Sequence, residues 1–162
     1  MTGRAAVLGL GARGTRWAHA CLDAGWEVAG FDPDEDTGHA MTGGALWRRE
    51  ATISGAVERA DLVICCLPER IELLRPVLQR AQASATEKAV VAVVSAAFDV
   101  DEVQGNAIKP SKVLRVFEDA NGQISLDLGT ALDAQMRVHV TKIMSGLGAK
   151  TVVLSEYDDN AG

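Results

Sequence analysis

A short apolar run, Ala5-Ala6-Val7-Leu8, passes directly into Gly9-x-Gly11-x-x-Gly14 and from there into a helix-like pattern at Thr15-Arg16-Trp17. An apolar run without polar alternation reads as a strand buried on both faces. Strand, glycine-rich turn and helix in that order form the dinucleotide-binding fingerprint in the context it requires. Each glycine has its own reason. Gly9 lets the chain turn sharply from strand to helix, Gly11 lets a pyrophosphate approach a backbone without a Cβ, and Gly14 lets the helix pack tightly on the strand. The N–H groups of the first helical turn and the positive end of its dipole then face the phosphates. Gly9, Leu10, Gly11, Ala12, Arg13 and Gly14 are therefore the candidate phosphate-binding residues.

A glycine motif alone is a weak signal, and a partner acid strengthens it. Val28-Ala29-Gly30-Phe31 reads as a second buried strand closed by Asp32, 18 residues beyond Gly14. An acid about 20 residues past the glycines takes the hydroxyls of the adenosine ribose. Asp34, Glu35 and Asp36 follow at once, and together with Asp32 they would repel a 2′-phosphate. Arg13 is the only nearby cation that argues otherwise, and it reads as a phosphate contact or a rim residue. The expected cofactor is NAD.

At 162 residues the chain has the length of one domain, placed at residues 1–155, with an acidic tail over 156–162 expected to fray. Twenty-two acidic against 16 basic residues give a formal charge of −6, which argues against nucleic acid or an anionic membrane as partner. No signal-peptide pattern opens the chain, and its apolar runs are strand-sized, too short to span a bilayer. The expected location is cytoplasmic. Cys21, Cys65 and Cys66 fit no metal or redox spacing and read as small buried hydrophobes, so no metal site is expected.

Along the chain, strands alternate with helical patterns. The first helix runs to about Asp23, with Trp17, Cys21 and Ala24 on one face, Gly25 as its C-terminal cap and His19 in a surface or packing role. A weak third strand falls at Leu46-Trp47-Arg48 or at Ala51-Thr52-Ile53, and a short helix at Gly55 to Ala60. Asp61 to Leu67 is a clear strand that Pro68 terminates, placing Leu67, Pro68 and Glu69 in the crevice where ligands of open parallel sheets sit. Ile71, Leu74, Leu78 and Ala81 mark a helix face, with Pro76 kinking the helix or marking its first turn. Ala89 to Val94 is another buried strand and ends at Ser95. Two further strands, Lys112 to Val116 and Ile124 to Leu128, flank an Asn121-Gly122 turn and suggest an antiparallel edge. Thr130 reads as N-cap of a helix carrying Leu132, Met136, Val140, Ile143 and Leu147, closed by Gly148 and followed by a last strand, Thr151 to Leu154. The fold class is α/β: a doubly wound, mainly parallel Rossmann sheet with helices on both faces.

Three segments then resemble one family: the fingerprint with its Phe31-Asp32-Pro33-Asp34, the run Ala60-Asp61-Leu62-Val63 to Leu67-Pro68-Glu69-Arg70, and the closing Leu147 to Val153. They are similar to the NAD-binding domain of 3-hydroxyacyl-CoA dehydrogenases, and carnitine dehydrogenase is similar in the same places. The resemblance implies oxidation of a secondary alcohol on a 3-hydroxyacyl thioester, with hydride passing to NAD, an acyl-CoA-type partner and a homo-oligomer. In the family a histidine of a His-x-x-Asn-Pro motif is the general base, a glutamate orients it, and a Ser-Asn-Thr-Ser segment holds substrate and nicotinamide.

Carried over by position, the Ser-Asn-Thr-Ser segment becomes Ser95-Ala96-Ala97-Phe98, the histidine falls on Phe117, and the glutamate becomes Asp127. Phenylalanine accepts no proton, so no catalytic residue is assigned. The family's long helical stretch after the second strand is a brief loop here, and its helical C-terminal domain is absent from these residues. Two readings stand: an NAD-dependent oxidoreductase of this type or its cofactor domain, and a non-catalytic NAD(H)-binding sensor or accessory protein. A cofactor-free scaffold is disfavoured by the three retained glycines and Asp32.

Overall fold

A computed structural model describes residues 3–39, 41–147 and 151–154. Its eight strands are β1 (Arg4–Leu8), β2 (Glu27–Phe31), β3 (Trp47–Arg49), β4 (Leu62–Cys65), β5 (Val90–Val94), β6 (Val113–Glu118), β7 (Ile124–Asp127) and β8 (Thr151–Leu154). They form one sheet in the order β3-β2-β1-β4-β5-β6-β7-β8, parallel from β3 through β6. β7 returns antiparallel to β6, and β8 lies parallel to β7 at the margin. The antiparallel edge is thus two strands wide. The strand order reverses between β1 and β4, and that switch point is where an open α/β sheet has its crevice.

Among the described residues five α-helices cover the sheet: α1 (Ala12–Asp23), α2 (Ile53–Val57), α3 (Ile71–Ser84), α4 (Val100–Gly105) and α5 (Ala134–Gly146). Strand alternation sends Ala5 and Val7 to one face and Ala6 and Leu8 to the other. On the first face they meet Trp17, Ala18 and Cys21 of α1, and the same layer continues to Val140, Ile143 and Met144 of α5. On the second face α2 contributes Ala56 and Val57, α3 contributes Leu74, Leu78 and Ala81, and α4 contributes Val103. Burial on both faces accounts for the unbroken apolar runs of the central strands.

Gly25 caps α1 as expected. It has φ +85°, its N–H donates to Leu22 O at 2.9 Å, and the Trp26 N–H reaches Cys21 O at 2.9 Å. That double closure satisfies carbonyls the helix end would otherwise leave open. The hairpin turn at Asn121-Gly122 is present, with Gly122 at φ +79°.

Elsewhere the structure corrects the sequence reading. The third strand is the first alternative shifted by one residue to Trp47–Arg49, with Leu46 closing the 3-10 turn before it, and the short helix begins at Ile53 because Thr52 caps it through Gly55 N. α3 runs through Pro76 in its second turn, so the proline does not mark its start. Ile71 opens that helix 38% exposed and does not join the buried face of Leu74, Leu78 and Ala81. α5 is capped by Asp133, whose carboxylate accepts from Met136 N at 2.8 Å, and not by Thr130. α4 has no counterpart in the sequence reading, although Asp99 and Glu102 form a reciprocal capping box. Gly148 as a helix stop and the tail over 156–162 lie outside the described residues.

Candidate functional site

The glycine turn sits at the switch point. Gly9 has φ +97°, and a Cβ on it would lie 2.3 Å from Cys66 O on the neighbouring strand end. At Gly14 a Cβ would lie 1.7 Å from Gly9 O, so the helix could not start where it does. Gly11 is different: a Cβ there would meet nothing within 4 Å. Its space is open because it faces the crevice. Gly11 is also the N-cap of α1, and no side chain caps that end, which leaves the first-turn N–H groups facing outward.

Asp32 follows β2 and folds back on the same turn. Its Oδ2 accepts from Leu10 N at 2.8 Å and its Oδ1 from Asp34 N at 2.9 Å. A cavity of about 560 Å³ opens between these groups and the end of β4. Gly9, Gly11, Ala12, Arg13, Gly14, Asp32, Leu67 and Pro68 all line it, so the structure brings together eight of the eleven residues singled out from sequence. Leu10 does not join them, because its side chain is buried at 1% exposure. Phe31, Pro33, Ile53, Leu73 and Val77 complete an apolar wall that the sequence did not reveal, since they come from three separate segments.

The remaining two expected residues, Glu69 and Ser95, pair with each other beside the cavity. Ser95 Oγ donates to Glu69 Oε1 at 2.5 Å, and Glu69 Oε2 accepts from Ala96 N at 2.9 Å and Ala97 N at 3.1 Å. Burial pushes the Glu69 carboxyl up, but these three bonds and the charge of Arg13 outweigh it and hold the group below its ordinary value. Arg13 itself donates to Leu67 O at 2.9 Å and Val94 O at 3.4 Å, bracing the ends of β4 and β5. Arg13 thus lines the cleft and also braces the strand ends, a role the sequence did not reveal.

Further along the sheet Arg115 on β6 faces Asp127 on β7, with Nη1 3.6 Å from Oδ2. Its Nε donates to Ser95 O at 3.1 Å, and its guanidinium lies 5.2 Å from the Phe117 ring centre. Glu118 accepts from Trp17 Nε1 at 2.9 Å and from Arg16 Nη2 at 3.0 Å. His19 and His39 lie together around a separate hollow on the outer side of the glycine turn, and His139 is exposed on α5. Among the described residues no group of three side chains could hold a metal.

Comparison with known proteins decides the family. The sequence profile of the NAD binding domain of 6-phosphogluconate dehydrogenase matches residues 4–108, well over half of the chain. The chain belongs to that NAD-binding family. No curated protein sequence matches it at a significant level. Among solved structures it is similar to M. tuberculosis FadB2, with TM-score 0.84 and 18% identity over 95% of this chain and 64% of that one. (S)-3-Hydroxybutyryl-CoA dehydrogenase PaaH1 from Ralstonia eutropha gives TM-score 0.85 and 14% identity, covering 94% of this chain and 63% of that one. A 3-hydroxyacyl-CoA dehydrogenase from Archaeoglobus fulgidus gives 0.80 and 18%, covering 94% and 56%. At these identities the likeness is one of fold, and the chain spans less than two thirds of each of these proteins.

The NAD-binding family's cofactor suits the cleft observed here. Its volume lies in the range of small-molecule sites, its walls are mostly apolar, and its one fixed carboxylate stands across from uncapped N–H groups. Burial pushes the Cys66 thiol beside Gly9 up to about 12, which favours its protonated, weakly nucleophilic form. Among the described residues no helix is long and apolar enough to cross a membrane.

The NAD-binding domain also holds a cation that sequence reading missed. Arg49, at the end of β3, donates to carbonyls of the loop after Asp32, so Arg13 is not the only cation near that acid. The signal was the third strand: once Trp47–Arg49 pairs with Val28–Gly30, Arg49 stands opposite Gly30, two residues from Asp32.

Proposed function

We propose that the chain holds NAD(H) across the β1–β4 switch point as the cofactor-binding part of an oxidoreductase. Its substrate class is a secondary alcohol on a 3-hydroxyacyl thioester. The first-turn N–H groups of α1 and the backbone at Gly11 take the pyrophosphate, Asp32 takes the adenosine ribose, and the apolar wall takes the adenine. Leu67 and Pro68 border the second ribose, while Glu69 and Ser95 fix the loop beside the nicotinamide. Bound NAD supplies the hydride acceptor. The observation that carries this reading is Gly11, whose missing Cβ opens onto the cleft while Cβ atoms at Gly9 and Gly14 would strike backbone. The hydroxyacyl- and hydroxybutyryl-CoA dehydrogenases among the similar structures support the substrate class. An acyl-CoA-type ligand and self-association belong to the same reading.

One observation favours a second reading, a non-catalytic NAD(H) sensor or accessory protein. Phe117 stands where the resembled family places its base, and Asp127 faces Arg115 where that family's acid would face an imidazole. Titrating NADH into the purified protein while following its fluorescence tests both readings, since no binding removes both. Adding 3-hydroxybutyryl-CoA with NAD and recording absorbance of the reduced cofactor separates them: turnover supports the enzyme, and binding without turnover supports the sensor.

A further inference from the structure

The acidic loop after β2 suggests that several carboxylates together reject a 2′-phosphate, but the geometry narrows the choice to two residues. Arg49 Nη1 donates to Thr37 O at 2.5 Å, and its Nη2 donates to Asp34 O at 2.9 Å and Asp32 O at 3.3 Å. Three of its five N–H groups are thereby used, leaving Nε–H and one Nη1–H. Arg49 lines a hollow of about 470 Å³ with Asp32, Glu35 and Glu50, and that hollow shares Asp32 with the main cleft. A ribose held by Asp32 would direct its 2′ position to this junction.

The acids around the hollow do not act equally. Glu50 is ion-paired with Arg48, and Asp34 turns its Oδ1 to Asp36 N at 3.0 Å. Glu35, Asp34 and Asp36 are exposed, where water and salt weaken their field. Asp32 is partly buried, with both oxygens fixed by Leu10 N and Asp34 N. Its charge is the one a 2′-phosphate would meet at short range.

We propose that Arg49 is a specificity-determining residue of the adenosine subsite. Choice between NAD and NADP rests on the opposition of Asp32 and Arg49, with Arg49 a cation ready for a 2′-phosphate once the Asp32 carboxylate is gone. The inference deepens the NAD(H) reading above and rests on it.

Fluorescence titration of NADH and NADPH against wild type, Asp32→Ser, Asp32→Ser/Arg49→Gln, Asp32→Ser/Arg49→Lys and Asp34→Asn/Glu35→Gln/Asp36→Asn tests it. Wild type binds NADH ahead of NADPH. Asp32→Ser weakens NADH and strengthens NADPH by about tenfold each, the effect of one nearby charge. Adding Arg49→Gln abolishes the NADPH gain, whereas Arg49→Lys keeps part of it and shows that the fold tolerates change there. The triple loop variant moves the NADH/NADPH ratio by less than about threefold, as screened surface charges do. An Asp32→Ser protein with no NADPH gain overturns the proposal, as does a gain that survives Arg49→Gln or a loop variant that shifts the ratio as far as Asp32→Ser. Wild type that binds neither dinucleotide overturns the NAD(H) reading along with it, whereas wild type that binds NADH leaves that reading standing whatever the variants do.

Discussion

Around β1 and β2 the polar groups of the cleft face an open hollow, whereas between β5 and β7 they face one another. The first region presents the uncapped start of α1, the open side of Gly11 and the fixed carboxylate of Asp32 to a cavity. In the second, Glu69 is filled by Ser95, Ala96 and Ala97, Arg115 by Ser95 O and Asp127, and Glu118 by Trp17 and Arg16. Both regions are well ordered by hydrogen bonds. A ligand site differs from a brace in that it keeps some of its groups positioned but not yet used.

That contrast is open to attack, first where the effect is largest. Gly14→Ala should cost about 3 kcal/mol or more, because its Cβ would overlap Gly9 O at 1.7 Å and no side-chain movement relieves a backbone clash. Denaturant unfolding measures it, and a variant as stable as wild type would mean that α1 can start elsewhere. Gly11→Val should leave the melting temperature near that of wild type, since a Cβ there meets nothing within 4 Å. NADH affinity should fall about a hundredfold, close to 2.7 kcal/mol, as the branched side chain fills the place of the pyrophosphate. Two glycines in one motif thus separate folding from binding, and equal losses of stability at both would erase the distinction.

The same contrast explains what the sequence revealed. Glycine spacing, the apolar runs and the closing acid of β2 are local, so β1, α1, β2 and the eight residues around the cleft were legible without coordinates. Arg49 was not, because its place depends on which of two weak segments pairs with β2. The apolar wall was not either, since Phe31, Ile53 and the Leu73–Val77 pair stand on separate elements and meet only after folding. Thr130 misled because it has the chemistry of a cap, but Asp133, three residues on, has the geometry. Arg13 was legible as a cleft residue, but not its second role, since its long side chain also reaches the carbonyls of Leu67 and Val94, which fold next to it from distant segments.

The braced half should answer mutation in the opposite sense to Gly11. Arg115→Met removes the cation facing Asp127, where the two side chains are 14% and 17% exposed, and takes away the donor to Ser95 O. A loss of about 2 kcal/mol is expected, below the range for fully buried pairs because water still reaches the edge of this one. NADH affinity should stay within about twofold, since the substitution lies away from the groups that face the cavity. A loss of affinity as large as that of Gly11→Val would show that the β5–β7 network is part of the ligand site, and the two halves would then be one.

The smallest effect is the one whose sign is most informative. Glu69→Gln keeps the shape and one acceptor but removes the charge that Ser95, Ala96 and Ala97 address. Because the folded state holds this carboxyl below its ordinary value, the charge favours folding above the unfolded value of about 4.3. That contribution fades as pH falls through the folded value. Near neutrality the variant should be less stable by about 1 kcal/mol at most, since solvent screens the exposed part of Glu69. Unfolding curves of the two proteins should converge on acidification. A gap that stayed constant down to about pH 2, where carboxylates are protonated in both states, would assign the contribution to packing and not to charge. The loop at Ser95–Phe98 would then be held by shape alone, and the braced half would owe its order to contacts that acid leaves intact.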